Sequence, residues 1–345
     1  MARHFPCALP AVENTMSNST PDFQTSIDTR LLTGKTQGVF VTQDHERKRY
    51  IRDPNCWAGD IDLSAFSVFN SLEGIRRAGT LIASDAILLA AHYPLDVGTT
   101  VRFVRHEFKG DLNHDGVVDF ADLTLFARSA KQDEPDYFAR LSDIARNFNT
   151  TRVVERTIVS TSRATAPDMP AMHDDLLLAR LDRPVRPEHI RPVPLLWPAA
   201  DLGPRNWWDV WAKVPACSLN QHRQLLVSEI RRDAIARDGW LEAGRPMNLP
   251  RSRFYGGLNP GDSGCPVFLI GGNQPVLLYC ARRGSPSPVP LVSAPPGAGP
   301  FAGAYARAIL DTLLRLGCDA SSLRVARSFA QIIQPTSVIR PITTP

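Results

Sequence analysis

Gly261-Asp262-Ser263-Gly264-Cys265-Pro266 is the stretch of this chain best suited to covalent chemistry. A serine hydroxyl is a poor nucleophile until a base takes its proton. Acyl transfer also needs N–H donors aimed at the developing oxyanion. Gly261 tolerates the dihedrals that let its own N–H and that of Ser263 point the same way. Asn259-Pro260 precedes the motif and the apolar run Val267 to Ile270 follows it, so the serine sits on a loop-to-strand turn. The plain alternative is an ordinary Gly/Asp/Ser turn.

A serine nucleophile calls for a base, most often histidine, and an acid that fixes the tautomer of that base. Of the eight histidines, only His92 closes an apolar strand, Leu88-Leu-Ala-Ala-His92, before a Tyr93-Pro94 turn. For the acid, Asp174-Asp175 precedes Leu176-Leu-Leu-Ala-Arg-Leu181. A carboxylate at the head of a buried strand is costly unless hydrogen-bonded, and an imidazole N–H would satisfy it. Asp175 is preferred because it adjoins the strand directly. Taken singly, His92 reads as a structural histidine and Asp175 as a turn residue. The α/β-hydrolase elbow G-x-S-x-G is excluded, because Cys265 stands where it needs glycine and no strand-to-helix context exists.

The elements that must hold these groups are short strands. Gly79–Ala83 and Ala86–Ala91 flank a Ser84-Asp85 turn, a hairpin signal. Further strands are expected at 99–104, 153–159, 176–181, 208–212, 224–228, 266–270 and 275–280. Many short strands at turn-rich spacing predict an all-β barrel or sandwich. Two stretches read as helix: Leu123 to about Asn147, and Ala304 to Leu316. The second places Ala306, Ile309, Leu310, Leu313 and Leu314 on one face and stops at Gly317.

Ala90-Ala91-His92, Asp175-Leu-Leu-Leu-Ala-Arg-Leu181 and Gly261-Asp-Ser-Gly-Cys-Pro266 together resemble the three motifs of trypsin/chymotrypsin-like serine proteases, in that family's order. The resemblance covers about residues 56–317. It implies two six-stranded antiparallel β-barrels with a C-terminal helix. It also implies a catalytic triad of His92, Asp175 and Ser263, with an oxyanion hole from the amides of Gly261 and Ser263. Departures are visible. Tyr93 and Asn259 stand where many secreted members carry cysteine, and no Arg-Ile-Val-Gly-Gly type activation site is present. Gly257, six residues before the serine, is not the aspartate that would select Arg or Lys. By rough alignment Cys280-Ala281-Arg282 lies on the substrate-pairing strand.

A second chemical signal is Asp111-Leu-Asn-His-Asp-Gly-Val-Val-Asp-Phe-Ala-Asp122. Asp111, Asn113, Asp115, Asp119 and Asp122 fall on the first, third, fifth, ninth and twelfth positions of an EF-hand loop. Gly116 takes the sixth position, and the Val117 carbonyl the seventh. Such hard oxygens predict a structural Ca2+ site. The stretch from Gly110 to about Ala130 resembles one dockerin type I repeat. Dockerins normally carry two repeats and bind a cohesin-type partner. With one repeat, a single calcium site stabilising an insertion is the expectation. The insertion also accounts for a His92-to-Asp175 interval longer than the protease family's.

Composition narrows the remaining classes. At 345 residues with 43% hydrophobic and 21% charged, the chain can bury a substantial core. No apolar run approaches the length of a membrane span. Net charge is +4, with 34 arginines scattered rather than striped, so no nucleic-acid partner is expected. Six cysteines without a C-x-x-C pair argue against zinc ribbons and permit disulfides. The expected organisation is an extension with little core of its own (1–55), a first barrel (56–185) carrying the insertion (107–149), a second barrel with its helix (186–317), and a tail (318–345). The expected function is a serine endopeptidase-like hydrolase acting on a peptide or protein substrate. A catalytically inactive homologue serving as a calcium-dependent binding module is the competing reading. The resemblance and the calcium loop imply a secreted or cell-envelope protein, although Met1 to Cys7 shows no secretory apolar region.

Overall fold

A computed structural model describes residues 20–72, 77–106, 108–113, 115–167, 174–196, 214–230, 240–257, 261–282 and 298–326. Cys7, His173, Asn259 and the strand expected at 208–212 lie outside these residues.

The described residues begin with α1 (Thr20–Thr33) and a hairpin of β1 (Phe40–Asp44) and β2 (Arg49–Arg52). The first barrel uses β3 (Phe69–Asn70), β4 (Thr80–Ala83), β5 (Ala86–Ala90) and β6 (Thr100–Val104). The insertion follows, with β7 (Val117–Val118), α2 (Phe120–Ser129), α3 (Tyr137–Asn147) and β8 (Thr150–Thr151). Then come β9 (Val153–Ala164) and β10 (Leu176–Leu181). The second half holds β11 (Leu195–Leu196), β12 (Pro215–Leu219), β13 (Leu225–Ile230) and β14 (Trp240–Gly244). It ends with α4 (Leu249–Arg253), β15 (Pro266–Gly271), β16 (Gln274–Cys280), β17 (Ala298–Pro300), α5 (Ala306–Arg315) and β18 (Val325–Ala326).

The first sheet runs β3-β6-β9-β10-β5-β4, and a bridge from Phe66 to Thr80 joins its two edges. The second runs β17-β14-β13-β12-β15-β16, and a bridge from Arg282 to Ala298 closes it in the same way. Both are therefore six-stranded antiparallel barrels. The short strands β11 and β18 add on to β16 in parallel. Closure leaves no long unpaired edge, which suits strands this apolar. Every residue of β5, Ala-Ile-Leu-Leu-Ala, is buried, and each large side chain there contributes about 1.5–3 kcal/mol. Phe66 of the first barrel packs on Phe268 of the second, ring centroids 4.8 Å apart, so one core runs through both.

Several elements differ from expectation. The N-terminal segment contributes core rather than lying outside it. Ile27, Leu31 and Val39 are buried in the main cluster together with Cys56 and Trp57, which follow the segment, and Trp57 Nε1 donates to the Leu225 carbonyl at 3.1 Å. Arg251 of α4 ties α1 down through Asp28 at 2.7 Å, with Glu229 on its other side at 2.7 Å. Residues beyond 318 also join the fold, since β18 pairs with β11. The helical stretch from Leu123 breaks into α2 and α3 around Pro135, which cannot donate an N–H inside a helix. In α5, Leu314 is 60% exposed rather than part of the buried face. The helix ends as read, with Gly317 at φ +68° and Cys318 N–H donating to the Leu313 carbonyl at 2.9 Å.

Candidate active site

His92 lies two residues beyond the end of β5, and Asp175 directly precedes the first residue of β10. These two strands pair with Leu176 opposite Ala90, so the fold sets the two side chains next to each other. His92 Nδ1 lies 2.7 Å from Asp175 Oδ2, while the His92 N–H donates to Asp175 Oδ1 at 2.8 Å. The Asp175 carbonyl also accepts the Ala91 N–H at 2.9 Å. The carboxylate is thus gripped by ring and main chain together, and its side chain is only 6% exposed. A carboxylate only accepts, so Nδ1 is the donor in this contact and Nε2 is the ring nitrogen not engaged by Asp175. The imidazole is 33% exposed, open enough to meet a substrate. Asp174 is turned elsewhere, its Oδ1 accepting the Ala166 N–H at 3.4 Å.

The nucleophile turn reaches this pair through Gly264. A side chain built there would meet Ala90 N at 3.6 Å and Ala90 Cβ at 3.7 Å, two residues before His92. Gly264 N–H donates to the Ala281 carbonyl at 2.7 Å, and Cys265 N–H closes the turn onto the Asp262 carbonyl at 3.0 Å. Gly261 and Gly264 have φ of +97° and +84°, the left-handed region where glycine is favoured. At Gly264 space is adequate, so the backbone alone decides. Gly264→Ala is expected to cost about 1–2 kcal/mol, read as a lower denaturant midpoint. An unchanged midpoint would show the turn to be relaxed.

Among the described residues, neither the Gly261 nor the Ser263 N–H donates to a backbone carbonyl. No hydrogen bond between Ser263 Oγ and His92 is closed among them either. Such bonds commonly tighten only on substrate binding. Asp262 is 1% exposed, and its Oδ1 accepts the Gln221 N–H at 3.0 Å. The carboxylate beside the nucleophile is therefore held by the internal 220–224 turn.

The neighbouring thiols are inert. Cys56, Cys217, Cys265, Cys280 and Cys318 are all free, so no disulfide forms among the described residues. Burial pushes the Cys265 thiol up to about 12 and raises Cys280 further, which leaves no reactive thiolate beside Ser263. Sequence reasoning did not foresee the contact of Arg282 with this site: its Nε lies 3.6 Å from Asp175 Oδ2. The only hint was its position on the strand beside the turn.

In the insertion, the loop of Asp111, Asn113, Asp115, Gly116, Val117, Asp119 and Asp122 is closed by its own hydrogen bonds. Asp122 is fully buried and accepts the N–H groups of Leu112 at 2.6 Å and Asp119 at 2.9 Å. Asp119 caps α2 by accepting the Ala121 N–H at 2.7 Å. Asp111 Oδ2 accepts the Gly116 N–H at 3.1 Å, with Arg152 at 3.8 Å, while its Oδ1 is buried without a hydrogen-bond partner. Burial pushes the Asp111 carboxyl above its ordinary range. Among the described residues, no three acidic or imidazole side chains converge as a metal cluster.

Two closed six-stranded antiparallel barrels, with the His–Asp pair on the first and the serine turn on the second, are the arrangement of a trypsin-like fold. No family model matches the chain, and no curated protein matches it. Among solved structures it is similar to human heparin binding protein, at 15% identity and a TM-score of 0.43, over 73% of this chain and 92% of that one. A double mutant of that protein matches equally, and a single mutant at 13% identity. At this distance the likeness says nothing of activity. Among the described residues no helix is long and apolar enough to cross a membrane.

Proposed function

We propose that the chain is a serine endopeptidase-like hydrolase. The observation that carries this reading is the 2.7 Å contact of His92 Nδ1 with buried Asp175 Oδ2, beside the Ser263 turn. In this reading His92 Nε2 takes the Ser263 proton as Oγ attacks a peptide carbonyl. The carbonyl oxygen becomes an anion and draws the N–H groups of Gly261 and Ser263. His92, protonated and held by Asp175, then gives its proton to the leaving amine. Water repeats the sequence on the acyl-enzyme, returning Ser263 and releasing the acid. Labelling by a fluorophosphonate probe tests it. A folded wild-type chain that stays unlabelled would leave the reading of an inactive, ligand-binding homologue.

A structural calcium ion in the Asp111–Asp122 loop is a second proposal, supported by the buried, unpartnered Asp111 Oδ1. Asp111, Asn113, Asp115, Asp119, Asp122 and the Val117 carbonyl would hold it, at a distance from the chemistry. Adding Ca2+ should raise the melting temperature of the wild type. Asp111→Asn should remove that rise, and without calcium it should melt no lower than wild type, because it relieves a buried charge. Calcium-independent melting of the wild type would reject the site.

A further inference from the structure

Tyr93 directly follows His92, and its ring lies along the imidazole. The ring centroids are 6.5 Å apart and the planes 28° from parallel, a stacked pair within the usual aromatic range. Arg77 packs on the same tyrosine, its guanidinium carbon 4.3 Å from the ring centroid, close enough for a cation–π contact. Arg77 is itself fixed. Its Nη1 donates to the Pro94 carbonyl, and its own carbonyl accepts the N–H of Asn70 Nδ2 at 2.8 Å. Asn70 ends β3 and is 3% exposed, so the stack is anchored in the wall of the first barrel.

The imidazole has need of such a contact. Asp175 engages His92 twice, at Nδ1 and at the main-chain N–H, but both bonds end on one carboxylate. The torsion between Cβ and the ring is broad, so a ring held at Nδ1 alone can still tilt about that bond. The side chain is 33% exposed, so close packing does not set the tilt either. A flat neighbour does. The backbone of Tyr93 is closed onto β5, its N–H donating to the Ala90 carbonyl at 3.2 Å. Its hydroxyl oxygen is buried and makes no hydrogen bond among the described residues, so the ring is what Tyr93 offers His92.

We propose that Tyr93, with Arg77 packed on it, is a positioning residue that fixes the plane of the His92 imidazole while Asp175 fixes its Nδ1 edge. Two contacts of different direction then define the ring, where either alone leaves it one freedom. This rests on the hydrolase reading only in giving the held ring a proton to move. In that reading a misplacement of about 1 Å costs about a hundredfold in rate, so the stack acts on turnover and not on substrate binding.

The first measurement needs no substrate. In the full chain labelled with 15N-histidine, proton NMR follows the His92 Nδ1–H, assigned by its nitrogen coupling and its loss in His92→Ala. Its exchange with water should be about tenfold faster in Tyr93→Leu and in Arg77→Gln, and unchanged in Tyr93→Phe, which keeps the ring and drops the unbonded hydroxyl. Exchange in Tyr93→Leu as slow as in wild type overturns the proposal, as does a wild type without a protected Nδ1–H. If circular dichroism shows Tyr93→Leu unfolded, Arg77→Gln decides by the same criterion; loss of the fold in both overturns the proposal, because the pair is then structural. The second measurement is fluorophosphonate labelling over a range of probe concentrations. The limiting rate should fall by about 10–100-fold in Tyr93→Leu, with the half-saturating concentration within about threefold of wild type, and Tyr93→Phe should restore the rate. An equal fall in Tyr93→Phe, or a fall in affinity alone, overturns the proposal. A folded wild type that stays unlabelled rejects the hydrolase reading, and proton exchange then decides by itself whether Tyr93 holds His92.

Discussion

Ser263→Ala should lose fluorophosphonate labelling completely, and peptide hydrolysis should fall by about 10³–10⁶-fold with the melting temperature unchanged. The size follows from how the three groups depend on one another. His92 is held by two hydrogen bonds to Asp175, at 2.7 and 2.8 Å, and in the proposed mechanism it has no proton to take once the Ser263 hydroxyl is gone. Residual activity would come only from N–H donors at the oxyanion. His92→Ala should fall into the same range, and the double variant should lose little more, because groups that act as a unit are not additive. Equal hydrolysis by wild type and Ser263→Ala would remove the serine mechanism.

Arg251→Ala should be the most damaging single change outside the core, costing about 3–5 kcal/mol as a loss in denaturant midpoint. Arg251 is 3% exposed and donates at 2.7 Å both to Asp28 of α1 and to Glu229 of β13. Removing it leaves Glu229, 9% exposed, without its counter-charge and removes the bidentate tie from Asp28 of α1. The penalty comes from the stranded carboxylates more than from the lost attraction. Arg251→Met combined with Glu229→Leu should therefore recover much of the loss. A loss below about 1 kcal/mol for Arg251→Ala would show the network to be incidental.

The mutual placement of these groups explains what sequence could and could not reach. The order of His92, Asp175 and Ser263, and the apolar strands that carry them, are local facts. Leu176 to Leu181 is a buried strand in sequence and in structure because six residues alternate around a barrel wall that is apolar on its inner face and covered on its outer one. Gly317 ends α5 because only a left-handed residue closes that turn cheaply. By contrast, the segment before residue 55 is polar enough to read as an appendage, yet three of its apolar residues, Ile27, Leu31 and Val39, are buried in the main core. Their spacing is too sparse for a periodic signal, and only docking against the second barrel reveals their use. The strands β12, β14 and β17 were invisible for a related reason: short and flanked by turns, they are selected by their neighbours in the barrel.

What the sequence determined by itself was therefore the chemistry on offer: a serine in a glycine turn, a histidine and an aspartate at strand ends, and an oxygen-rich loop. Those depend on residue type and short-range spacing. Tertiary structure alone decided who meets whom. It gave Asp262 to the Gln221 N–H, tied α1 through Arg251, and brought Arg282 to the oxygen that His92 already uses. Each of these pairs residues far apart in the chain through strand register and barrel closure, and pairings of that range leave no mark on local sequence pattern.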